Sequence, residues 1–148
     1  CIRDSIAWEP ESAELSPGGS MQAVMELTPN KETEYVERHT TRIVIRDVSG
    51  SVLHQFDGPP ADQLLVKWSP DGTRLAVGGG LDKACKIDPF AEGWEENAVM
   101  VWDVTTGELL HTFLGHTGRV FSLAWSPDGS MLASGSADGS VIVWDVSR

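Results

Sequence analysis

Few side chains in this sequence suit nucleophilic, acid–base or metal chemistry. There are four histidines and two cysteines among 148 residues. Asp138, His116 and Ser134 are the types that make an acyl-transfer triad, in which a carboxylate orients an imidazole that deprotonates a hydroxyl. No Gly-x-Ser-x-Gly elbow presents a serine for such attack. Cys85 has no Cys or His at zinc-ligand spacing, and Cys1 with Cys85 makes neither a disulfide framework nor a metal set. Gly78-Gly79-Gly80 is not followed by Gly-Lys-Ser/Thr, so it reads as a crowded strand end and not as a phosphate loop. Asp71 and Asp128 precede Gly after Pro, which makes them turn residues. His54 and His111 stand at equivalent places in two similar segments, where a surface role is expected ahead of metal binding. No cofactor, no metal and no enzymatic activity are expected.

The elements that carry these residues are short and β-like. Val120-Phe121-Ser122-Leu123-Ala124-Trp125 is a strand-length apolar run, and Pro127-Asp128-Gly129 after it supplies a turn. Met131 to Ser136 is a second strand, closed by Asp138-Gly139, and Val141-Ile142-Val143-Trp144 a third, rich in β-branched residues. Leu109-Leu110-His111-Thr112-Phe113, entered through Thr105-Thr106-Gly107, is a fourth kind of strand, with a twin in Val52-Leu53-His54-Gln55-Phe56. No stretch has sustained helical periodicity.

Composition limits the partners. Hydrophobic residues are 41% and charged residues 22%, the balance of a folded soluble domain. No apolar run approaches the roughly 20 residues that a helix needs to span a bilayer. A net charge of -11 repels phosphate backbones and anionic lipid, which argues against nucleic acid and membrane as partners. The chain opens on Cys1 and not on Met, so a piece of something longer is expected, and a cytoplasmic one. A lipid-anchored cysteine is the alternative, but an apparent strand, Asp4 to Trp8, begins at once where such proteins carry a polar tether.

Repetition organises the whole chain. Ala124-Trp125-Ser126-Pro127-Asp128-Gly129 repeats Lys67-Trp68-Ser69-Pro70-Asp71-Gly72, with Ala7-Trp8-Glu9-Pro10 as a degraded third copy. Val143-Trp144-Asp145-Val146 repeats Val101-Trp102-Asp103-Val104, with Ile45-Arg46-Asp47-Val48 as the earlier copy. Trp102 and Trp144 lie 42 apart, inside the roughly 40–45 residues of a four-stranded propeller blade. The other intervals are longer, and nearly all their excess falls between the Trp-x-Pro and Trp-Asp motifs.

These residues resemble the WD-repeat family of β-propellers, over almost the whole chain and most closely from Leu109 to Val146. There Gly115-His116, Trp125-Ser126-Pro127-Asp128-Gly129, Asp138 and Trp144-Asp145 follow in the family's order. The resemblance implies an all-β partial propeller of three antiparallel four-stranded blades, the last lacking its outer strand. Blade one is expected at about 1–57, blade two at about 58–114 and blade three at about 115–148. It further implies a structural network of His116, Ser134 (or Ser136), Asp138 and Trp144, with Ser134 inside a packed blade where no substrate reaches it. Blades one and two depart from that pattern. Gly58-Pro59-Pro60 replaces Gly-His, Val77 replaces the serine and Arg46 the tryptophan, so only blade three is expected to hold the full network; blade two retains Trp102 and Asp82.

Two insertions remain, about Thr28 to Thr40 and about Asp82 to Asn97, which the family arrangement sends to one face of neighbouring blades. A smaller one surrounds Glu11 to Glu14. Tyr35, Phe90 and Trp94 among acids such as Glu95 fit a recognition rim for a basic protein or peptide. The competing reading is a pair of extended hairpins whose aromatics fold back on their own blades. The implied function is a non-catalytic protein-interaction scaffold, completed by the remaining blades or by further copies of the chain. The competing class is a propeller enzyme whose site lies in other blades.

Overall fold

The computed structural model describes residues 13–29, 39–58, 63–80 and 97–147. They form eleven strands and no helix. In chain order these are β1 (Glu14–Leu15), β2 (Met21–Pro29), β3 (His39–Asp47), β4 (Val52–Asp57), β5 (Gln63–Trp68), β6 (Arg74–Gly80), β7 (Val99–Asp103), β8 (Leu109–Phe113), β9 (Val120–Trp125), β10 (Met131–Ser136) and β11 (Val141–Asp145). They make three antiparallel sheets ordered β1-β2-β3-β4, β5-β6-β7-β8 and β9-β10-β11. The architecture is a partial β-propeller with three blades. No helix among the described residues is long and apolar enough to cross a membrane.

The same tight turn joins the first two strands of every sheet. Gly72 N–H donates to the Ser69 carbonyl at 2.9 Å, and Gly129 N–H to that of Ser126 at 2.9 Å. Both glycines have positive φ, 72° and 71°, which suits a residue without Cβ. In the first sheet this turn is Ser16-Pro17-Gly18-Gly19, where Gly19 donates to Ser16 at 2.8 Å. This corrects the reading of Ala7-Trp8-Glu9-Pro10 as the third copy. The true copy has Leu15 in place of Trp and Gly18 in place of Asp, so its signature residues are lost while its geometry survives. Glu14 consequently belongs to β1 and not to an insertion, and the strand expected at Asp4 to Trp8 lies outside the described residues. The first inserted segment also starts later than expected. β2 and β3 pair without interruption out to Pro29↔His39, so Thr28 and Thr40 are ladder residues.

The sheets stack face to face, and the apolar core lies between them. One cluster joins Ala23, Met25, Ile43, Ile45 and Phe56 of the first sheet to Val66, Trp68, Leu75 and Val77 of the second. The other joins Ala76, Val99 and Val101 to Val120, Leu123, Leu132 and Val146 of the third. Alternate residues of β6 therefore face opposite neighbours, and its side chains from Leu75 onward are buried on both faces. The packing is close at Gly78, where a Cβ would meet Val120 Cγ1 at 3.0 Å.

The ends of the stack show what the interior covers. Val99 and Val101 are 0% exposed, whereas Val141 and Val143, their counterparts in the third sheet, are 72% and 61% exposed. At the opposite end Val48 is 82% exposed, against 3% for Val104 and 1% for Val146. At these positions valine is dry between sheets and exposed at the ends.

Candidate functional site

The third sheet brings His116, Ser134, Asp138 and Trp144 into one hydrogen-bonded chain. His116 lies in the β8–β9 connection, Ser134 on β10, Asp138 in the β10–β11 turn and Trp144 on β11. The register pairs Leu132 with Trp144, which puts Ser134 two residues along on the same face. His116 Nδ1 is 3.0 Å from Asp138 Oδ2, its Nε2 is 2.7 Å from Ser134 Oγ, and Trp144 Nε1 donates to Ser134 Oγ at 2.8 Å. A neutral imidazole protonated on Nδ1 satisfies every atom. It donates to the carboxylate, accepts the serine proton on Nε2, and leaves the serine oxygen to the indole. Phe113 stacks on Trp144 at 4.8 Å, and the His116 ring meets the indole edge-on at 6.3 Å.

Asp138 is the charged end of the chain. Its Oδ1 accepts from the Ser140 N–H at 2.7 Å and from the Ser140 hydroxyl, and its Oδ2 accepts from Thr117 N–H at 3.0 Å. The Ser140 hydroxyl contributes most to holding its pKa well below the usual carboxylate range; partial burial opposes this, and the two backbone N–H groups and His116 reinforce it. The arrangement supports the fold and not acyl transfer. Ser134 is fully buried and its oxygen accepts from the indole, so a substrate carbonyl has no approach.

Elsewhere the network is incomplete. Trp102 of the second sheet sits where Trp144 sits in the third, but Val77 stands where Ser134 does. The buried Trp102 Nε1 has no hydrogen-bond partner. Asp82, the expected carboxylate of that sheet, lies outside the described residues, as do Tyr35, Phe90, Trp94, Glu95 and Cys85. Ser136, the alternative network serine, instead donates to the Gly118 carbonyl at 2.8 Å. Among the described residues, no three His, Cys, Asp or Glu side chains converge as metal ligands would.

The turn aspartates are capped repeatedly. Asp71 Oδ1 accepts from Ser69 Oγ at 2.6 Å, Thr73 N–H at 3.0 Å and Thr73 Oγ1 at 2.8 Å. Asp128 has the same three partners in Ser126 and Ser130. The Ser69 hydroxyl leads in lowering Asp71 to about 2, and the Ser126 hydroxyl does so for Asp128.

Other contacts had no sequence expectation behind them. Trp68 Nε1 donates to the Glu14 carbonyl of the preceding sheet at 3.0 Å, and Trp125 Nε1 to the Lys67 carbonyl at 3.0 Å. Each motif tryptophan is thus a polar rung between sheets, legible in principle from its recurrence before Ser-Pro. Arg74 reaches the other way, donating to the carbonyls of Val146 at 2.7 Å and Gly129 at 2.6 Å while its guanidinium lies over the Trp125 ring at 5.1 Å. His54 and His111 lie half-buried on the outer strands β4 and β8. Each ring stacks on the phenylalanine two residues on, and a Cβ on Gly107 of the next sheet would lie 3.1 Å from His54 Nδ1. Those phenylalanines in turn stack on the following sheet's tryptophan, Phe56 on Trp102 as Phe113 on Trp144.

A family model described as "WD domain, G-beta repeat" matches residues 50–87 and 107–145. The chain belongs to the WD-repeat family. Similar proteins include the F-box-like/WD repeat-containing protein TBL1Y of Homo sapiens, 31% identical over 94% of this chain and 23% of its own length. WD repeat-containing protein 1 of Mus musculus is 33% identical over 97% of the chain and 20% of its own length. The Periodic tryptophan protein 2 homolog of Schizosaccharomyces pombe is 50% identical over 65 residues, 40% of the chain. This WD-repeat chain therefore spans about a fifth of the first two relatives.

Proposed function

We propose that this chain is a non-catalytic docking segment of a larger WD-repeat propeller, and that its two long loops meet a basic protein or peptide. The observation that carries the reading is topological. β2 and β6, the second strands of neighbouring sheets, end on the side away from the Ser-Pro turns, so the β2–β3 and β6–β7 connections leave from the same end of the stack. The segments 30–38 and 81–96 fill those connections and bring Tyr35, Phe90, Trp94 and Glu95. Aromatic residues with acids as sequence neighbours suit a basic partner, bound weakly and in a salt-sensitive way. That the Asp138–His116–Ser134 set is buried and bonded to the Trp144 indole supports the non-catalytic half of the reading.

The test compares partners captured from the source cell by the intact chain and by a chain with both connections cut to Asp-Gly turns. The doubly trimmed chain should keep its fold and lose its salt-sensitive partners, and Trp94→Ala alone should weaken capture by about 2 kcal/mol if the indole is a buried anchor. An unchanged set of partners rejects the rim.

A further inference from the structure

Three aspartates of this chain are followed directly by glycine, in Asp71-Gly72, Asp128-Gly129 and Asp138-Gly139. At such a step the glycine nitrogen can attack the aspartate carboxyl, because no Cβ on the following residue shields it. The nitrogen loses its proton and bonds to Cγ, and the carboxyl hydroxyl leaves with that proton as water. Water then opens the succinimide ring. Cleavage at the Cγ–N bond restores aspartate. Cleavage between the nitrogen and the main-chain carbonyl carbon leaves isoaspartate, with one extra carbon in the backbone. The product is unchanged in mass, and water is the only co-reactant. All three turns resist this in the same local way. The attacking nitrogens are tied, Gly72 to the Ser69 carbonyl and Gly129 to that of Ser126 at 2.9 Å each, and Gly139 to that of Ser136 at 3.1 Å. The carboxylates are tied too, each Oδ1 accepting from the N–H and the hydroxyl of the residue two further on. Asp71 and Asp128 both lie near 2, so ionisation does not separate them.

The turns differ in what reaches them from outside. The Gly129 carbonyl accepts from Arg74 Nη2 at 2.6 Å, and the same guanidinium holds the Val146 carbonyl at 2.7 Å and lies over Trp125. Asp138 is held by its second oxygen, which takes the Thr117 N–H at 3.0 Å and lies 3.0 Å from His116 Nδ1. Asp71 has neither clamp. Met21 takes the place of Arg74 in the first sheet and has no donor for the Gly72 carbonyl. A Cβ on Gly72 would meet only Pro17 Cδ, at an ordinary 3.6 Å. Asp71 is exposed, and the three bonds to its Oδ1 all come from its own turn. We infer that Asp71–Gly72 is an isoaspartate-forming site, and that Arg74 and the His116–Thr117 pair are the clamps that spare Asp128 and Asp138. Isomerisation would take the carboxylate away from Ser69 and Thr73 in the turn that joins β5 to β6. It would therefore loosen the one sheet against which both others pack.

The experiment ages the folded chain and maps the product. The full chain is held for weeks at neutral pH and physiological temperature, beside a sample in concentrated urea. Isoaspartate at each of the three sites is then counted by peptide mapping with electron-transfer fragmentation. In urea the three should react at similar rates, since each is then a bare Asp-Gly step. In the folded chain Asp71 should convert at least about tenfold faster than Asp128 or Asp138, the factor by which one charge-assisted bond holds a turn closed. Arg74→Met should bring Asp128 toward the Asp71 rate and leave Asp138 unchanged. Met21→Arg, which offers the same fork to the carbonyls of Gly72 and Val104, should slow Asp71 by about tenfold. Equal rates at the three sites of the folded chain would overturn the assignment of Asp71. A rise at Asp138 in step with Asp128 in Arg74→Met would overturn the clamps, because general loosening would then explain both. So would an unchanged Asp71 rate in a Met21→Arg chain whose circular dichroism is intact. None of these outcomes depends on the loop-trimming test.

Discussion

At Ser134 a single hydroxyl serves two buried groups at once, and its removal measures the network. Ser134→Ala leaves Trp144 Nε1 and His116 Nε2 unpaired inside the third sheet and should cost about 1–3 kcal/mol in urea denaturation. His116→Ala should add much less in that background than alone, because both act in one chain of bonds. The second sheet offers the converse. Val77→Thr places a hydroxyl where Trp102 Nε1 lacks an acceptor, whereas Val101→Thr, equally buried, meets no such group. Val77→Thr should be the milder of the two by about 1 kcal/mol, and equal losses would show that the Trp102 nitrogen is out of reach. The capped aspartates predict an acid limit. Asp71 and Asp128 lie near 2 in the folded chain, below the ordinary carboxylate value of the unfolded one, so the unfolded state takes up protons first. Their stabilisation is complete above about pH 4 and is lost as pH falls toward 2. Urea midpoints should decline over that window, and Asp71→Asn should flatten part of the decline.

Between sheets, stability comes from unlike devices at like positions. The first and second sheets share the Lys67–Glu14 ion pair; the second and third share the Arg74 fork, whose two carbonyl acceptors lie in the β9–β10 turn and just after β11. Arg74→Met, the residue found at the same place in the third sheet, should cost about 1–3 kcal/mol. Arg74→Lys should recover only part of it, since an ammonium does not span both carbonyls. These contacts mark where the sequence was legible and where it was not. Trp125-Ser126-Pro127-Asp128-Gly129 and Trp144-Asp145 carry their geometry in residue types, so the third sheet and its four network residues could be read directly. The first sheet could not, because Leu15 and Gly18 had replaced the residues that advertise the turn while Ser16, Pro17 and Gly19 kept its bonds. A nearby Trp8-Glu9-Pro10 drew the reading away. Arg74 had no recurrence to reveal it, for a fork between sheets needs three-dimensional proximity that one copy of an arginine does not announce. The contact between His54 and Gly107 of the next sheet was not legible for a related reason, since strand alternation alone does not show it.

Among the described residues, the central sheet is covered on both faces, whereas the third sheet leaves Val141 and Val143 exposed on one. Urea unfolding monitored separately at each sheet, through hydrogen exchange, should therefore find β6 and β7 the best protected. β11 should be among the least protected, since its one side is open and no outer strand pairs with it among the described residues. Uniform protection across the three sheets would mean that the ends are covered in solution. The indole rungs add a sense of direction. In both, the acceptor belongs to a sheet synthesised earlier than its donor: Glu14 before Trp68, Lys67 before Trp125. On the ribosome each of these two tryptophans emerges after the carbonyl to which it donates. For these two rungs, folding from the amino terminus would therefore leave neither carbonyl to be made later.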